Sequence, residues 1–381
     1  MHLKTLHVAL VSPFFPLKGG IARFSTTLRN VLLKRGQTVD AISFKRLYPG
    51  ILLRGKAVYE PGASSQPEDG VLPLLDALNP LTWLRAARFI RRIHPAVMVC
   101  AYWLGPLAPM YWLLQRVSGI KMIVLMHNYT SHERFFAEKK FRDLLLKDAA
   151  GVVTLSGYVA RQVKVSYPEL PVKSLFHPVY RPENALISRQ DACRDLGIGP
   201  DEHVLLFFGY VREYKGLDLL IEAMPEVLRR HPGTHLVIAG EFYYGEKMIR
   251  ERIELLGIGG RVRVYAGFVP AERVQFFFSA ADVAVLPYRE ASQSGVVQQA
   301  YGFGCPVIVS GVGGLPEVVD EGKTGVVVRD LDSHSLADGI CSFLENRKAV
   351  PYRENVVRYA DHLSWEVFTE KIEDFMLEVV A

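Results

Sequence analysis

The sequence predicts an α/β protein made of two Rossmann-like domains, each built on a sheet of parallel strands. Its 381 residues suit two domains of ordinary size better than one. Short apolar runs alternate with helix-length segments, which is the pattern of parallel strands joined by crossover helices. A segment with two prolines, HPVYRPEN at 177–184, interrupts this alternation and predicts the boundary between the domains.

The predicted strands are short and apolar in both halves of the chain. In the first half they are 7–11, 39–44, 97–101, 122–126 and 151–155. In the second half they are 204–208, 235–239, 262–265, 283–286, 306–309 and 325–328. We expect an N-terminal domain over 1–180 with a returning C-terminal helix at about 362–381, and a C-terminal domain over 181–361. Because ligands of such sheets bind beyond the carboxyl ends of the strands, the sheets are expected to face a central cleft.

The charge of the chain is distributed unevenly. Residues 1–175 hold 24 Lys/Arg and 10 Asp/Glu, a net charge of +14, whereas the remainder carries −9. A half this basic is expected to attract phosphates, anionic lipid or nucleic acid, although a solvated basic face without a partner has the same composition. The four cysteines are scattered without a CxxC pair, so we expect no disulfide framework and a cytoplasmic location. Residues 1–17 lack the cleavage site of a signal peptide.

One segment has the length of a membrane span. Residues 95–114 contain no charge over 20 positions. However, Gly105, Pro106 and Pro109 divide the segment, so it predicts a buried strand, a turn and the start of a helix instead.

A basic amphipathic helix is predicted at 81–93. Asn79 suits the N-cap and Pro80 the first helical position. One face is apolar, and the opposite face carries Arg85, Arg88, Arg91 and Arg92. Two interpretations fit this pattern: a core-facing helix with a solvated basic side, and a helix that contacts a membrane surface.

Two strand-to-helix turns carry candidate phosphate-binding residues. In SPFFPLKGGIARF, Gly19 and Gly20 let the backbone approach a ligand, and the next helix offers free N–H groups to an anion. In FGYVREYKGLDLL, Gly209 is followed by Arg212 and Lys215 at the mouth of a helix. Two cations beside a helix N-terminus suit a departing diphosphate, because they neutralise its charge. Taken alone, the first segment could as well be a structural turn, and the second is more often a surface turn than a binding site.

The strongest signal lies in VLPYREASQSGVVQQAYGFG. Its predicted strand ends at Pro287, and Glu290 follows in a loop. Ser294 and Gly295 then open a helix whose first N–H groups suit a phosphate, and that helix carries Gln298. The later Gly-Val-Gly-Gly at 311–314 is too short to indicate a dinucleotide site.

Together these segments resemble the retaining glycosyltransferases of family 4, which have the GT-B fold. The resemblance extends from SPFFPLKGG to SWEVFTEKIEDF, and SQSGVVQQAYGFG is similar to a bacterial subgroup. It implies a catalytic set of His127, Arg212, Lys215 and Glu290, and a nucleotide-sugar donor, with a UDP-sugar ahead of a GDP-sugar. It also implies that no cofactor or metal is required and that nucleic acid is not a partner.

The resemblance also implies where the donor binds. The implied donor-binding residues are Gly19, Gly20, Gly209, Arg212, Lys215, Phe268, Glu290, Ser294, Gly295, Val296 and Gln298. Arg212 and Lys215 would grip the diphosphate, Glu290 would bind sugar hydroxyls, and His127 would lie beside the transferred sugar. Gln298 replaces the motif's second glutamate, which accepts hydrogen bonds from the ribose. An amide oxygen still accepts, but less strongly than a carboxylate.

The segment HNYTSHERF has several interpretations. His127, His132 and Glu133 could form a metal or acid–base set, but histidines five positions apart fit no helical metal pair. We expect His132 and Glu133 to contact the acceptor, with a purely structural loop histidine as an equal alternative for His132. Asp330 and Asp332 match a metal-binding Asp–any–Asp pattern, but their place before a helix favours Asp332 or Ser333 as its N-cap.

The sequence therefore predicts a retaining, metal-independent glycosyltransferase that acts on a glycan or lipid-linked acceptor in peripheral contact with an anionic membrane. A soluble sugar or sugar-phosphate acceptor is an alternative, as is a nucleotide-sugar-binding protein with impaired catalysis. A dinucleotide oxidoreductase is disfavoured, because neither glycine-containing turn is a GxGxxG motif with an acidic residue at the right distance.

Overall fold

The computed structural model describes residues 5–48, 58–60, 66–130, 137–182 and 186–381 of the chain. These residues form two compact units. The first comprises the chain up to Phe176 together with Trp365–Ala381, and the second is His177–Ser364. Each unit has its own sheet of parallel strands and its own hydrophobic core. The predicted α/β class with two Rossmann-like domains is confirmed.

Within its described residues, the first unit contains a seven-stranded parallel sheet of order β3-β2-β1-β4-β5-β6-β7. Its strands are β1 (His7–Val11), β2 (Thr38–Arg46), β3 (Val71–Asp76), β4 (Val97–Tyr102), β5 (Met122–Met126), β6 (Gly151–Thr154) and β7 (Val172–Ser174). Its helices are α1 (Gly20–Lys34), α2 (Pro80–Ile93), α3 (Ala108–Ser118), α4 (Glu138–Leu146), α5 (Gly157–Ser166) and the C-terminal helix Trp365–Val380.

Within the described part of the second unit, a six-stranded parallel sheet has the order β10-β9-β8-β11-β12-β13. Its strands are β8 (His203–Phe208), β9 (Thr234–Gly240), β10 (Val262–Ala266), β11 (Val283–Leu286), β12 (Val307–Ser310) and β13 (Gly325–Val328). Its helices are α6 (Arg189–Leu196), α7 (Leu217–Arg230), α8 (Glu246–Leu255), α9 (Ala271–Ala280), α10 (Gly295–Gly302), α11 (Ser333–Asn346) and α12 (Tyr352–Asp361).

The sequence predicts eleven of the thirteen strands in the described residues. All eleven are present, with ends that differ by at most two residues from those predicted. Central strands such as β4 and β5 are buried along their whole length, because crossover helices cover both faces of a parallel sheet. The sequence does not predict the edge strands β3 and β7. β3 contains Pro73, which an edge strand tolerates, and β7 is three residues long and only partly buried.

The C-terminal helix is held to the first unit by buried polar and aromatic contacts. The Glu373 carboxylate, 2% exposed, accepts hydrogen bonds from Arg35 at 2.9 Å and from Gln37 at 3.0 Å. The ring centroid of Phe24 on α1 lies 5.0 Å from that of Trp365. Since a buried charge is stable only when paired, Glu373 fixes this helix against α1 and β2.

The basic amphipathic helix α2 forms as predicted. Asn79 caps it by accepting a hydrogen bond from the Leu81 N–H at 3.1 Å, and Ala86, Ala87 and Ile90 are fully buried. The four arginines of its opposite face are exposed. None of the helices in the described ranges has the length and apolarity that a membrane crossing requires.

The strand order of the second unit places two loops side by side. β8 and β11 are neighbours at the centre of the sheet, where the order of strands reverses. The chain enters α7 after β8 and α10 after β11, on the same edge of the sheet. Ligands of doubly wound sheets bind at such a switch point, so the loops after β8 and β11 form the candidate site.

Candidate functional site

The turn after β8 brings three predicted donor-site residues together. A Cβ atom on Gly209 would lie 3.4 Å from Val296 Cγ2 and 3.5 Å from Lys215 Nζ. Gly209 has φ +98°, in the region that favours glycine. The end of β8, the cation of the following turn and the first turn of α10 therefore meet at one point.

Two further glycines let the backbones pack without side chains between them. A Cβ atom on Gly240, at the end of β9, would lie 1.9 Å from the Gly209 carbonyl oxygen. A Cβ atom on Gly216, which has φ +65°, would lie 2.0 Å from the Pro287 carbonyl oxygen. Glycine at these positions holds the turn after β8 against both β9 and the turn after β11.

Lys215 is a buried cation. Its side chain is 7% exposed, and its Nζ lies 5.3 Å from the centroid of the Tyr288 ring. Burial, and after it the positive charge of Arg212, lowers the pKa of Lys215 to about 8. In the described part of the chain, no carboxylate lies within ion-pair distance of it. A buried ammonium without a counter-charge is unfavourable, so this position favours an anionic ligand.

Arg212 lies on the same turn. Its guanidinium carbon is 4.7 Å from the centroid of the Tyr243 ring. Tyr214, two residues further on, has its pKa raised by burial, lowered by the charge of Arg212 and raised by that of Glu290. Arg212 and Glu290 are therefore both within electrostatic reach of the Tyr214 hydroxyl.

Arg289 ties the Glu290 loop to the Lys215 turn. Its backbone N–H donates to the Tyr214 carbonyl at 2.7 Å, and its guanidinium donates to the Glu213 carbonyl at 2.9 Å. The guanidinium also makes a two-pronged pair with the Asp218 carboxylate at 2.9 and 2.6 Å. Burial raises the pKa of Asp218, but the hydrogen bonds and charge of Arg289 together with backbone N–H groups lower it below its usual value. Arg289 is not among the residues predicted from the sequence, although its position next to Glu290 could have indicated it.

The N-terminus of α10 combines donors with an acceptor. The Ser294 hydroxyl caps the helix by accepting a hydrogen bond from the Val296 N–H at 3.2 Å. Other first-turn N–H groups of a helix, such as that of Gly295, have no intrahelical acceptor and suit an anion. Gln298 is 1% exposed, and its Oε1 has no hydrogen-bond partner among the described residues. Phe268 lies after β10, next to Gly267, whose N–H donates to Gly240.

The predicted residues of the first unit lie in the segments that follow β1 and β5. Gly19 follows β1 with φ +129°, and its N–H donates to the Glu60 carboxylate at 3.4 Å. A Cβ atom on Gly20 would meet no described atom within 4 Å. His127 follows β5 and is 4% exposed, and its ring packs edge-to-face against Phe24 with centroids 5.2 Å apart.

Three expectations about acceptor and metal residues have different outcomes. His132 and Glu133 lie outside the described residues. The described part of the chain contains no group of three or more His, Cys, Asp or Glu placed to hold a metal ion. Asp332 accepts a hydrogen bond from the Ser335 N–H at 2.8 Å, so of the two predicted N-cap candidates Asp332 caps α11 and Ser333 is its first residue.

Comparison with solved structures identifies the class of fold. The chain aligns with the Anabaena protein HepE in complex with UDP at a TM-score of 0.76, covering 98% of this chain and 100% of that one. The two are 16% identical, so the likeness shows the fold alone. The second unit also matches the family model described as glycosyl transferases group 1, over residues 188–363. Fold and family match together support a glycosyltransferase of the GT-B type.

Curated relatives agree with this class. The chain is 28% identical over 384 residues to a D-inositol 3-phosphate glycosyltransferase of Thermobifida fusca, covering 91% of this chain and 86% of that one. It is 24% identical over 266 residues to spore coat protein SA of Bacillus subtilis, covering 63% of this chain and 69% of that protein. Several other relatives match over less than half of their own length.

Proposed function

We propose that this chain is a retaining, metal-independent glycosyltransferase of the family 4 kind that uses a nucleotide-sugar donor. The observation that carries the proposal is Lys215, a buried ammonium with no carboxylate partner among the described residues. It adjoins Gly209, Arg212 and the first turn of α10 at the switch point of the sheet. A diphosphate supplies the negative charge that this arrangement favours, and no cofactor is required.

The charged and polar donor-site residues of the second unit have distinct roles in this proposal. Arg212, Lys215 and the N-terminus of α10 stabilise the diphosphate as it leaves, because preorganised positive charge acts most strongly where charge develops. Glu290 accepts hydrogen bonds from the sugar hydroxyls. The Gln298 carbonyl oxygen accepts from the ribose, which would satisfy a buried acceptor that no described residue satisfies. UDP is the proposed nucleotide, ahead of GDP, since the Anabaena protein of the same fold is in complex with UDP.

The proposed reaction exchanges one bond of the donor sugar. The bond from the anomeric carbon to the phosphate oxygen breaks, and a bond to the acceptor oxygen forms on the same face. The acceptor proton passes to the departing phosphate, which leaves as the nucleoside diphosphate. His127 lies beside the transferred sugar in this proposal, and Gly19 and Gly20 border the donor phosphates.

The reaction is tested by following product and stereochemistry together. UDP-, GDP- and ADP-sugars are first screened by thermal shift, because a ligand of the folded state raises its melting temperature. Transfer or hydrolysis of the best donor is then followed by NMR in the presence of EDTA. We expect turnover in EDTA and a product with the donor's anomeric configuration. An inverted product, or activity abolished by EDTA and restored by manganese or magnesium, would contradict the proposal.

For the acceptor, we propose a lipid-linked glycan reached from an anionic membrane surface. The arginine face of α2 consists of Arg85, Arg88, Arg91 and Arg92, all exposed. None of the four forms an ion pair with any residue in the described ranges. Leu78 and Leu81, at the start of α2, are 51% and 64% exposed. Exposed arginines without an ion pair suit an anionic bilayer surface, where each contributes about 1 kcal/mol. The exposed leucines would add apolar contact there.

Vesicle co-sedimentation tests this surface against a matched charge change. We expect binding to phosphatidylglycerol vesicles, no binding to neutral ones, and loss in high salt, because salt screens exposed charges. Replacing Arg85, Arg88 and Arg92 with Glu should abolish binding. The control replaces the exposed Lys139, Lys140 and Lys147 of the same unit with Glu, which changes the net charge equally. Equal losses in both triple variants would contradict a specific surface on α2.

A soluble sugar-phosphate acceptor is the second candidate. The name of the Thermobifida relative, a D-inositol 3-phosphate glycosyltransferase, and the basic N-terminal half favour it. Failure to bind anionic vesicles at low salt, combined with transfer to a soluble acceptor, would make it the better account. Donor binding without any turnover would instead indicate a nucleotide-sugar-binding protein, the alternative that Gln298 raises.

A further inference from the structure

We infer that Tyr243 is a positioning residue that holds the Arg212 guanidinium in the orientation that receives the donor diphosphate. The inference rests on the proposed function, in which Arg212 binds that diphosphate. Tyr243 lies in the loop after β9, on a different element from Arg212. Its role would be to restrict Arg212 before the ligand arrives, without needing to touch the ligand itself.

The backbone fixes the two side chains relative to each other. The Val211 N–H, next to Arg212, donates to the Glu241 carbonyl at 2.9 Å. The Tyr243 N–H donates back to the Val211 carbonyl at 3.0 Å. These two hydrogen bonds hold the residue before Arg212 in register with the loop that carries Tyr243.

The two tyrosine rings and the Arg212 guanidinium form a chain of contacts. The guanidinium carbon of Arg212 lies 4.7 Å from the centroid of the Tyr243 ring. The Tyr210 ring packs edge-on against Tyr243, with centroids 5.2 Å apart and planes at 74°. Tyr243 itself is 39% exposed, so its ring serves neither core of the two units. Tyr210 therefore braces the ring on which Arg212 rests.

A cation–π contact is suited to positioning because the guanidinium is planar. An arginine on an aromatic face keeps its N–H donors in the plane of the group, where phosphate oxygens bind. A long side chain otherwise loses rotamer freedom when it binds, and a group already restricted loses less. Removing the Tyr243 ring should therefore weaken diphosphate binding even though Arg212 is still present.

The test is a double-mutant cycle on the affinity for UDP and for GDP, measured by calorimetry. We expect Tyr243→Ala to weaken binding of the preferred nucleotide about threefold to tenfold, the scale of one cation–π contact. Tyr243→Phe should stay within about twofold of wild type, because it keeps the ring. The decisive variant combines Arg212→Ala with Tyr243→Ala and should bind no more weakly than Arg212→Ala alone.

A neighbouring tyrosine supplies the matched control. Tyr244 is 42% exposed, and Tyr244→Ala should leave nucleotide affinity unchanged. Tyr243→Leu repeats the test with an apolar side chain if Tyr243→Ala lowers the melting temperature. Additive losses in the double variant, or wild-type affinity in Tyr243→Ala, would overturn this inference but leave the proposed function intact. Wild-type affinity in Arg212→Ala would instead overturn the diphosphate assignment of the proposed function.

Discussion

Each unit has a glycine-containing turn between its first strand and the helix that follows, and the two turns differ in chemistry. In the first unit, the Gly19 N–H donates to the Glu60 carboxylate, so a negative group already lies at the turn. In the second, Lys215 is buried without a carboxylate partner among the described residues, and Arg212 lies on the same turn. The same strand–turn–helix order thus produces one turn whose glycine N–H already donates to a carboxylate, and one turn whose buried cation favours an anionic ligand.

The glycines of the two turns differ in whether the packing of the backbone requires them. A side chain on Gly216 would overlap the Pro287 carbonyl, so packing alone requires glycine there. A side chain on Gly20 would meet no described atom within 4 Å, so folding does not require it. A glycine that folding does not require is a candidate for a role in ligand approach. In the proposed function, the second unit therefore supplies the charge that binds the diphosphate, and the first supplies only close backbone approach.

The largest expected effect on activity follows from removing either cation of the turn after β8. Arg212→Ala and Lys215→Ala should each lower kcat/KM by roughly 100-fold or more, the scale for removing one preorganised charge. Arg250→Ala is the control, because Arg250 is exposed on α8 and pairs only with Glu246 in the described part of the chain. Activity within about threefold of wild type in both site variants would remove the distinction between the two turns.

Glu290 sharpens the comparison by separating sugar from diphosphate. Glu290→Gln should lower kcat/KM for the nucleotide sugar by roughly 10- to 100-fold, the scale of a hydrogen bond to a charged group. The affinity for the free nucleoside diphosphate should change by less than about twofold. Steady-state kinetics and calorimetry measure the two quantities, with Glu246→Gln as the control. If nucleotide affinity collapses while sugar selectivity is unaltered, the roles are reversed.

Alanine at Gly216 should impair folding, whereas alanine at Gly20 should impair activity without impairing folding. Gly216→Ala should lower the melting temperature, because the new Cβ would lie 2.0 Å from the Pro287 carbonyl oxygen. Gly20→Ala should leave the melting temperature unchanged or raise it, since alanine favours a helix by about 1 kcal/mol over glycine. It should nevertheless lower kcat/KM, by about tenfold, if the donor approaches this backbone. Full activity in Gly20→Ala would exclude the first turn from the donor site.

How far the sequence predicts this molecule depends on the distance between the residues involved. The central strands are apolar runs that a local pattern predicts. Gly209, Arg212 and Lys215 are close neighbours in the chain, so they belong to one short motif that carries the family resemblance. The pairing of Arg289 with Asp218 joins residues 71 apart, and that of Arg212 with Tyr243 joins two loops. These contacts depend on how β8, β9 and β11 lie in the sheet, which no local pattern specifies.

Burial of the Lys215 ammonium should also destabilise the protein when no anion is bound. Folding lowers the pKa of Lys215 from 10.5 to about 8, so the unfolded chain binds this proton more tightly. The buried charge is therefore destabilising below pH 8. That cost should decline as the pH rises from about 8 towards 10.5, where the unfolded chain also loses the proton.

Thermal unfolding of wild type and Lys215→Met at pH 7, with and without UDP or GDP, tests this claim most directly. Without nucleotide, we predict a melting temperature a few degrees higher in Lys215→Met, because the buried charge is gone. With the preferred nucleotide, wild type should be stabilised and Lys215→Met should gain little or nothing. A variant that is no more stable when empty and is stabilised by nucleotide as much as wild type would contradict the account.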